Sequence, residues 1–143
     1  MSASTTREVP LSPKEIRTLL ELADRDLHQA RLLDLHPDTR YALAYNAGLQ
    51  LATAALRLHG VRIRKARFHA RTFAELKPRL PEEMQSFADY FDRARRKRHT
   101  VTYDRAGAVS EGEVDDLIKQ VTAFREWVLA EVEGYSPDEF PKG

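Results

Sequence analysis

The chain has 143 residues, 42% of them hydrophobic, and a formal net charge of +1. That length suits one domain with its own core. It holds no cysteine, which excludes disulfides and thiolate metal sites and fits a reducing, cytoplasmic setting. No run of about 18 apolar residues offers a membrane span, and the polar opening MSASTTREVPLSP lacks the apolar stretch of a secretory signal.

Residues 1–11 are expected to be a flexible lead. Ser12-Pro13-Lys14-Glu15 reads as a capping box with proline at the first helical position. Ile16, Leu19, Leu20, Ala23, Leu27 and Ala30 follow at helical spacing. The first helix is expected to reach about Leu33, before His36-Pro37-Asp38 breaks it. The second runs from near Asp38 to His59-Gly60, where glycine is the expected residue past a helix end. Ala42, Ala44, Ala47, Gly48, Ala52, Ala54 and Ala55 alternate there with leucines, and charge is sparse. That is the pattern of a central helix. Small residues equally suit a close-packed dimer interface, and one helix can be both.

The segment VRIRKARFHAR, residues 61–71, is basic and irregular. The alternation of Val61 and Ile63 suggests a short strand, but no partner strand is evident, so the segment is read as a connection. Thr72 is read as the cap of a short helix, TFAELKPRL. Pro81-Glu82-Glu83 opens the next long helix with acids in its first turn. Met84, Phe87, Ala88, Phe91 and Ala94 form its buried stripe, and it ends near His99. Ala106-Gly107-Ala108 is a break, and Ser110-Glu111-Gly112-Glu113 a second capping box. Val114, Leu117, Ile118, Val121, Phe124, Trp127, Val128 and Val132 mark the last helix, which Gly134 ends. Residues 135–143 read as a flexible tail. The expected architecture of residues 12–134 is all-α: an antiparallel four-helix bundle plus a short extra helix.

Charge is uneven along this frame. From Arg57 to Arg98 there are 13 Lys/Arg against 5 Asp/Glu, a balance of +8; the rest carries 10 basic and 17 acidic residues, a balance of −7. A basic middle attracts phosphate-rich partners, unless the two halves pair with each other. The basic charge peaks in RARRKRHTVTYD, where Arg93, Arg95, Arg96, Lys97 and Arg98 fill five of six positions. Cations are favoured at a helix C-terminus, so a solvated face is one reading. His99, Thr100, Thr102 and Tyr103 follow at once and join an imidazole, hydroxyls and a phenol to the cations. Metal-free cleavage of RNA needs a proton carrier near neutral pH and a cation for the phosphate, roles that suit histidine and arginine. His28, His36, His59 and His69 show no metal-ligand spacing and are read as surface or satisfied residues. Glycine-rich phosphate loops are absent from the sequence.

Three pieces of the chain together resemble the HEPN superfamily over residues 14–134. They are EIRTLLELADRDLHQARLL, then RYALAYNAGLQLATAALRLHGVR with its aromatic–polar–small run, and the helix ending in RARRKRHTVTYD followed by VSEGEVDDLIKQVTAFREWVLAEV. The resemblance implies a bundle of four to five helices, usually a homodimer. Many HEPN proteins are metal-independent endoribonuclease toxins of toxin–antitoxin, CRISPR or abortive-infection systems, with the active site composed where two copies meet. Others are inactive partners of a minimal nucleotidyltransferase, or RNA-binding units.

The resemblance assigns Arg98 as the motif arginine and His99 as the polar residue after it. Tyr103 then stands where the family has histidine, and a phenol that titrates near 10 is a poor base at neutral pH. A rival register, Arg93 with His99, turns about 240° round a regular helix. The expected function is therefore binding of RNA, nucleotide or a partner nucleotidyltransferase, with Arg98, His99 and Tyr103 at the centre. Arg93, Arg95, Arg96, Lys97 and Asn46 are the expected nucleic-acid or nucleotide contacts. No cofactor or metal is expected. A ribonuclease toxin and a plain dimerisation module are the alternatives, and Tyr103 as acceptor of a nucleotidyl group is a narrower one.

Overall fold

The computed structural model describes residues 6–8, 12–63, 68–100 and 107–134. Its helices are α1 (Pro13–Ala30), α2 (Pro37–Leu58), α3 (Phe68–Leu76), α4 (Gln85–His99) and α5 (Glu111–Glu133). Four are long and α3 is short, so the fold is the expected all-α bundle plus an extra helix. None of them is long and apolar enough to cross a membrane.

Local chemistry sets the helix ends. Ser12 caps α1, its hydroxyl accepting from the Glu15 amide at 3.3 Å. The Glu15 carboxylate is engaged elsewhere: it accepts from Arg62 at 3.1 and 3.3 Å and pairs with Arg57. Charged partners of this kind hold a carboxylate more strongly than one amide does. α1 ends at Ala30, three residues short of the expected Leu33. The Ala30 carbonyl is taken by Nε of Arg40 at 2.8 Å, and Leu32 and Leu33 turn outward, 44% and 77% exposed. Arg40 itself is 2% exposed and reaches to 3.8 Å from Asp115 of α5. α2 starts on an unexpected cap: the His36 ring accepts from the Asp38 amide at 3.0 Å.

α2 is the central helix. It packs against α1, α3, α4 and α5, and within Pro37–Leu58 Thr39 alone is exposed. At Gly48 an added Cβ would lie 3.4 Å from Val121 and 3.6 Å from Phe91, so α2, α4 and α5 meet there. Past α2, Gly60 takes the left-handed backbone with φ of 73°.

The connection read for residues 61–71 begins as a strand. β2 (Val61–Ile63) pairs antiparallel with β1 (Thr6–Glu8), in register Thr6 to Ile63 and Glu8 to Val61. β1 lies in the lead expected to be flexible. Three residues are too few to print a strand pattern, and the partner sits across the whole α1–α2 hairpin. Val61 and Ile63 bury with Leu56 in a small second core, joined by Phe68.

Thr72 is not a cap. α3 begins four residues earlier, and the buried Thr72 hydroxyl donates to the Phe68 carbonyl at 2.7 Å. α4 begins at Gln85, because the turn after Pro81 is a 3-10 helix, Glu82–Met84, closed by the Met84 amide on the Pro81 carbonyl. The second capping box is complete: the Glu113 amide donates to Ser110 Oγ at 3.1 Å and the Ser110 amide to the Glu113 carboxylate at 3.0 Å. Val114, Leu117, Val121, Phe124 and Val128 are buried, and the partly buried Trp127 stacks on Phe124.

Candidate functional site

The buried stripe of α4 decides where its cations point. A helix turns about 100° per residue. Arg98, seven residues after Phe91 and four after Ala94, therefore continues the core-facing line of those two buried residues. Arg95 sits on the near edge of that line. Arg93 and Arg96 lie away from it and are exposed.

The cations divide among several neighbours. The Arg93 guanidinium lies over the Tyr90 ring, 5.6 Å from its centre. Arg95 and Arg96 share Asp92 at 2.9 and 3.4 Å. Lys97 pairs with Glu113 of α5 at 3.2 Å. The acidic remainder of the chain thus answers part of the basic middle, as Glu15 of α1 answers Arg57 and Arg62. Arg98 differs. Its guanidinium lies 5.6 Å from the centre of the Tyr45 ring, a cation–π geometry. Its Nε is buried without a hydrogen-bond partner, and among the described residues no carboxylate pairs with it.

Tyr45 comes from the centre of α2 and is 1% exposed. Its hydroxyl lies 2.9 Å from Nδ1 of His69 on α3, the rings 5.7 Å apart. Three helices therefore bring Tyr45, His69 and Arg98 together, with Arg95 alongside. A cleft of about 480 Å³ opens beside them, lined by Phe68, His69, Ala70 and Arg95. Burial, followed by the charges of Arg98 and Arg95, holds the His69 imidazole below its ordinary value, so it is neutral at neutral pH. Burial raises the Tyr45 phenol, and it keeps its proton.

Sequence reasoning missed Tyr45 and His69. The expected motif runs along α4, whereas the imidazole that meets Arg98 arrives from α3. The one legible sign was the aromatic–polar run around Tyr45. The expected partners of Arg98 fare differently. His99 is exposed while Arg98 is half-buried, so adjacent positions send them to different faces. Tyr103 lies outside the described residues. Asn46 is about 100° round α2 from Tyr45, on the half-exposed edge it shares with Gln50, which donates to Asp26 of α1 at 3.2 Å.

A second cleft, about 330 Å³, lies where α2, α4 and α5 meet, among Tyr41, Tyr90, Arg93, Lys97, Glu113 and Asp116. Its polar groups largely answer each other: the Tyr90 hydroxyl donates to Asp116 at 2.7 Å, and Lys97 meets Glu113. Tyr41 is pushed up to about 12, by burial and then by Glu113 and Asp116. This cleft is a charge-balanced seam. Among the described residues no cluster of three or more histidines and carboxylates is placed to hold a metal ion.

A family model described as SAV_6107-like HEPN matches residues 34–129. The match runs from the turn before α2 to near the end of α5 and leaves α1 outside, so it is narrower than the stretch the resemblance covered. Comparison with curated proteins and with solved structures returned no match.

Proposed function

The chain belongs to the SAV_6107-like HEPN family, and on that premise we propose that it binds RNA through the C-terminal turns of α4. The observation that carries this reading is Arg98. A guanidinium on a core-facing line, with a buried Nε–H unmet, works against folding. A local rule broken with only partial compensation, here the cation–π contact with Tyr45, marks a functional position. Around it the helix offers a phosphate-binding surface: five cations from Arg93 to Arg98, less the charges of Asp92 and Glu113, leave a balance of +3. HEPN domains often dimerise, and a second copy would bring a second such surface.

The Arg98 guanidinium supplies paired N–H donors that fit phosphate oxygens. The surrounding cations add charge without sequence preference. RNA is held and not cut in this reading, because the exposed His99 and the half-buried Arg98 do not face a common point.

The test is RNA binding by fluorescence anisotropy across a salt series. Three phosphates neutralised on a single strand give a slope of log K against log salt of about −2. Arg98→Met should weaken binding and flatten the slope by about 0.7, one phosphate contact. Salt-independent affinity, or none at low salt, refutes the reading. Cleavage abolished by His99→Ala would put the nuclease alternative in its place.

A further inference from the structure

We propose that the cleft between α3 and α4 receives one unstacked nucleobase, held against Phe68 and His69, while Arg95 and Arg98 hold the phosphate attached to it. This rests on the RNA-binding reading and adds the part of the ligand that enters the fold.

The walls of the cleft are the reason. Phe68, His69 and Ala70 give it two aromatic rings and a methyl group, and Arg95 gives it one cation already shared with Asp92. A phosphate deep in such a cleft would face an uncharged imidazole and a phenyl ring. A base is the better occupant: flat, aromatic and polar at its edges. Single-stranded RNA is generally read this way, with bases splayed out onto aromatic side chains beside cations that track the backbone. The volume of about 480 Å³ lies within the range of small-ligand pockets.

The neighbours of the cleft fix its chemistry. The Phe68 and His69 rings stand edge to face, 6.0 Å apart and 70° inclined, so a base stacked on one meets the edge of the other. Tyr45 engages Nδ1 of His69 and leaves Nε2 for the base edge. With Nδ1–H donating to the phenol oxygen, Nε2 accepts; with the phenol donating to Nδ1, Nε2–H donates. The Tyr45–His69 pair can therefore present either role. Among the described residues, the charged groups facing His69 are Arg98 and Arg95 from α4, with Asp92 behind Arg95. Those arginines favour the neutral ring, and a neutral ring stacks without drawing the phosphate inward.

The experiment compares four RNA ligands by anisotropy or calorimetry at one salt concentration: a short single strand, its duplex, an abasic ribose-phosphate strand of equal length, and a nucleoside monophosphate, with inorganic phosphate alongside. The single strand should bind roughly 5- to 150-fold more tightly than the abasic strand, the span of one stacked base, and more tightly than the duplex. Phe68→Ala and His69→Ala should each narrow that gap. Melting temperatures of both variants report whether the fold survives, and the abasic strand needs no variant. Equal binding of the single, abasic and duplex strands overturns the base site while leaving RNA binding intact. A gap that persists through both substitutions overturns it too. A monophosphate that binds well above inorganic phosphate, with no affinity for any strand, keeps the cleft and removes the RNA reading. No binding of any ligand removes both.

Discussion

Replacing Arg98 with methionine separates a functional arginine from a structural one. In the folded chain its buried Nε–H has no acceptor, a loss of about 1–3 kcal/mol. The cation–π contact with Tyr45 returns about 0.5–2 kcal/mol. Methionine keeps a long unbranched stem, has no donor to bury, and makes sulfur–aromatic contacts of about 0.3–1.5 kcal/mol. The balance favours Arg98→Met by about 1 kcal/mol, a melting temperature higher by roughly 3–5 °C for a domain of this length. Calorimetry and urea melts of both proteins measure it, alongside the loss of RNA affinity predicted above. A variant that is more stable and binds less identifies Arg98 as a residue kept for its ligand. A variant destabilised by more than about 1 kcal/mol refutes the reasoning, since the arginine would then be holding the helices together.

Arg40→Met should act in the opposite direction. It strips the Ala30 carbonyl of a charged donor at 2.8 Å, a loss of about 1.5–3 kcal/mol, while the ion pair to the exposed Asp115 adds little; urea melts read the difference. Gly48→Ala should stabilise the fold by up to about 1 kcal/mol through helix propensity, because the new Cβ meets Val121 and Phe91 at ordinary distances. Gly48→Val, which extends further into the same contact, should lower the melting temperature. His69 titrates below its ordinary value, so the unfolded chain takes up that proton first. Its contribution is complete above about pH 6.5 and fades as pH falls below. His69→Gln should flatten that part of the stability–pH profile; an unchanged slope would show that His69 titrates normally.

Much of the fold was legible because helices announce themselves locally. Ser12, Ser110, the glycine after α2 and the apolar stripes of α1, α4 and α5 each lie within one element. Errors arose where a distant partner decides the outcome. Thr6–Glu8 becomes a strand only because Val61–Ile63 lies beside it. The Ala30 carbonyl ends α1 on an arginine ten residues later. The candidate site divides the same way. The concentration of cations on α4 is visible in one line of sequence. That Arg98 falls on the core-facing line follows from counting back to Phe91. That Tyr45 and His69 meet it depends on how α3 lies across α2 and α4, which no local spacing encodes.

The β1–β2 ribbon carries a consequence for how the molecule opens. It joins the chain just before α1 to the chain just after α2, and Glu15 clamps the same end through Arg57 and Arg62. β1, α1, α2 and β2 thus form a closed loop of structure with the most extensive helix pair of the fold inside it. The amide hydrogens of this unit should exchange late, together and near the global unfolding limit. α3 is short and lies outside the loop, so its amides should exchange earlier, through a partial opening that lifts His69 from Tyr45 while α2 stays folded. A ligand bound in the cleft would then register as slowed exchange in α3.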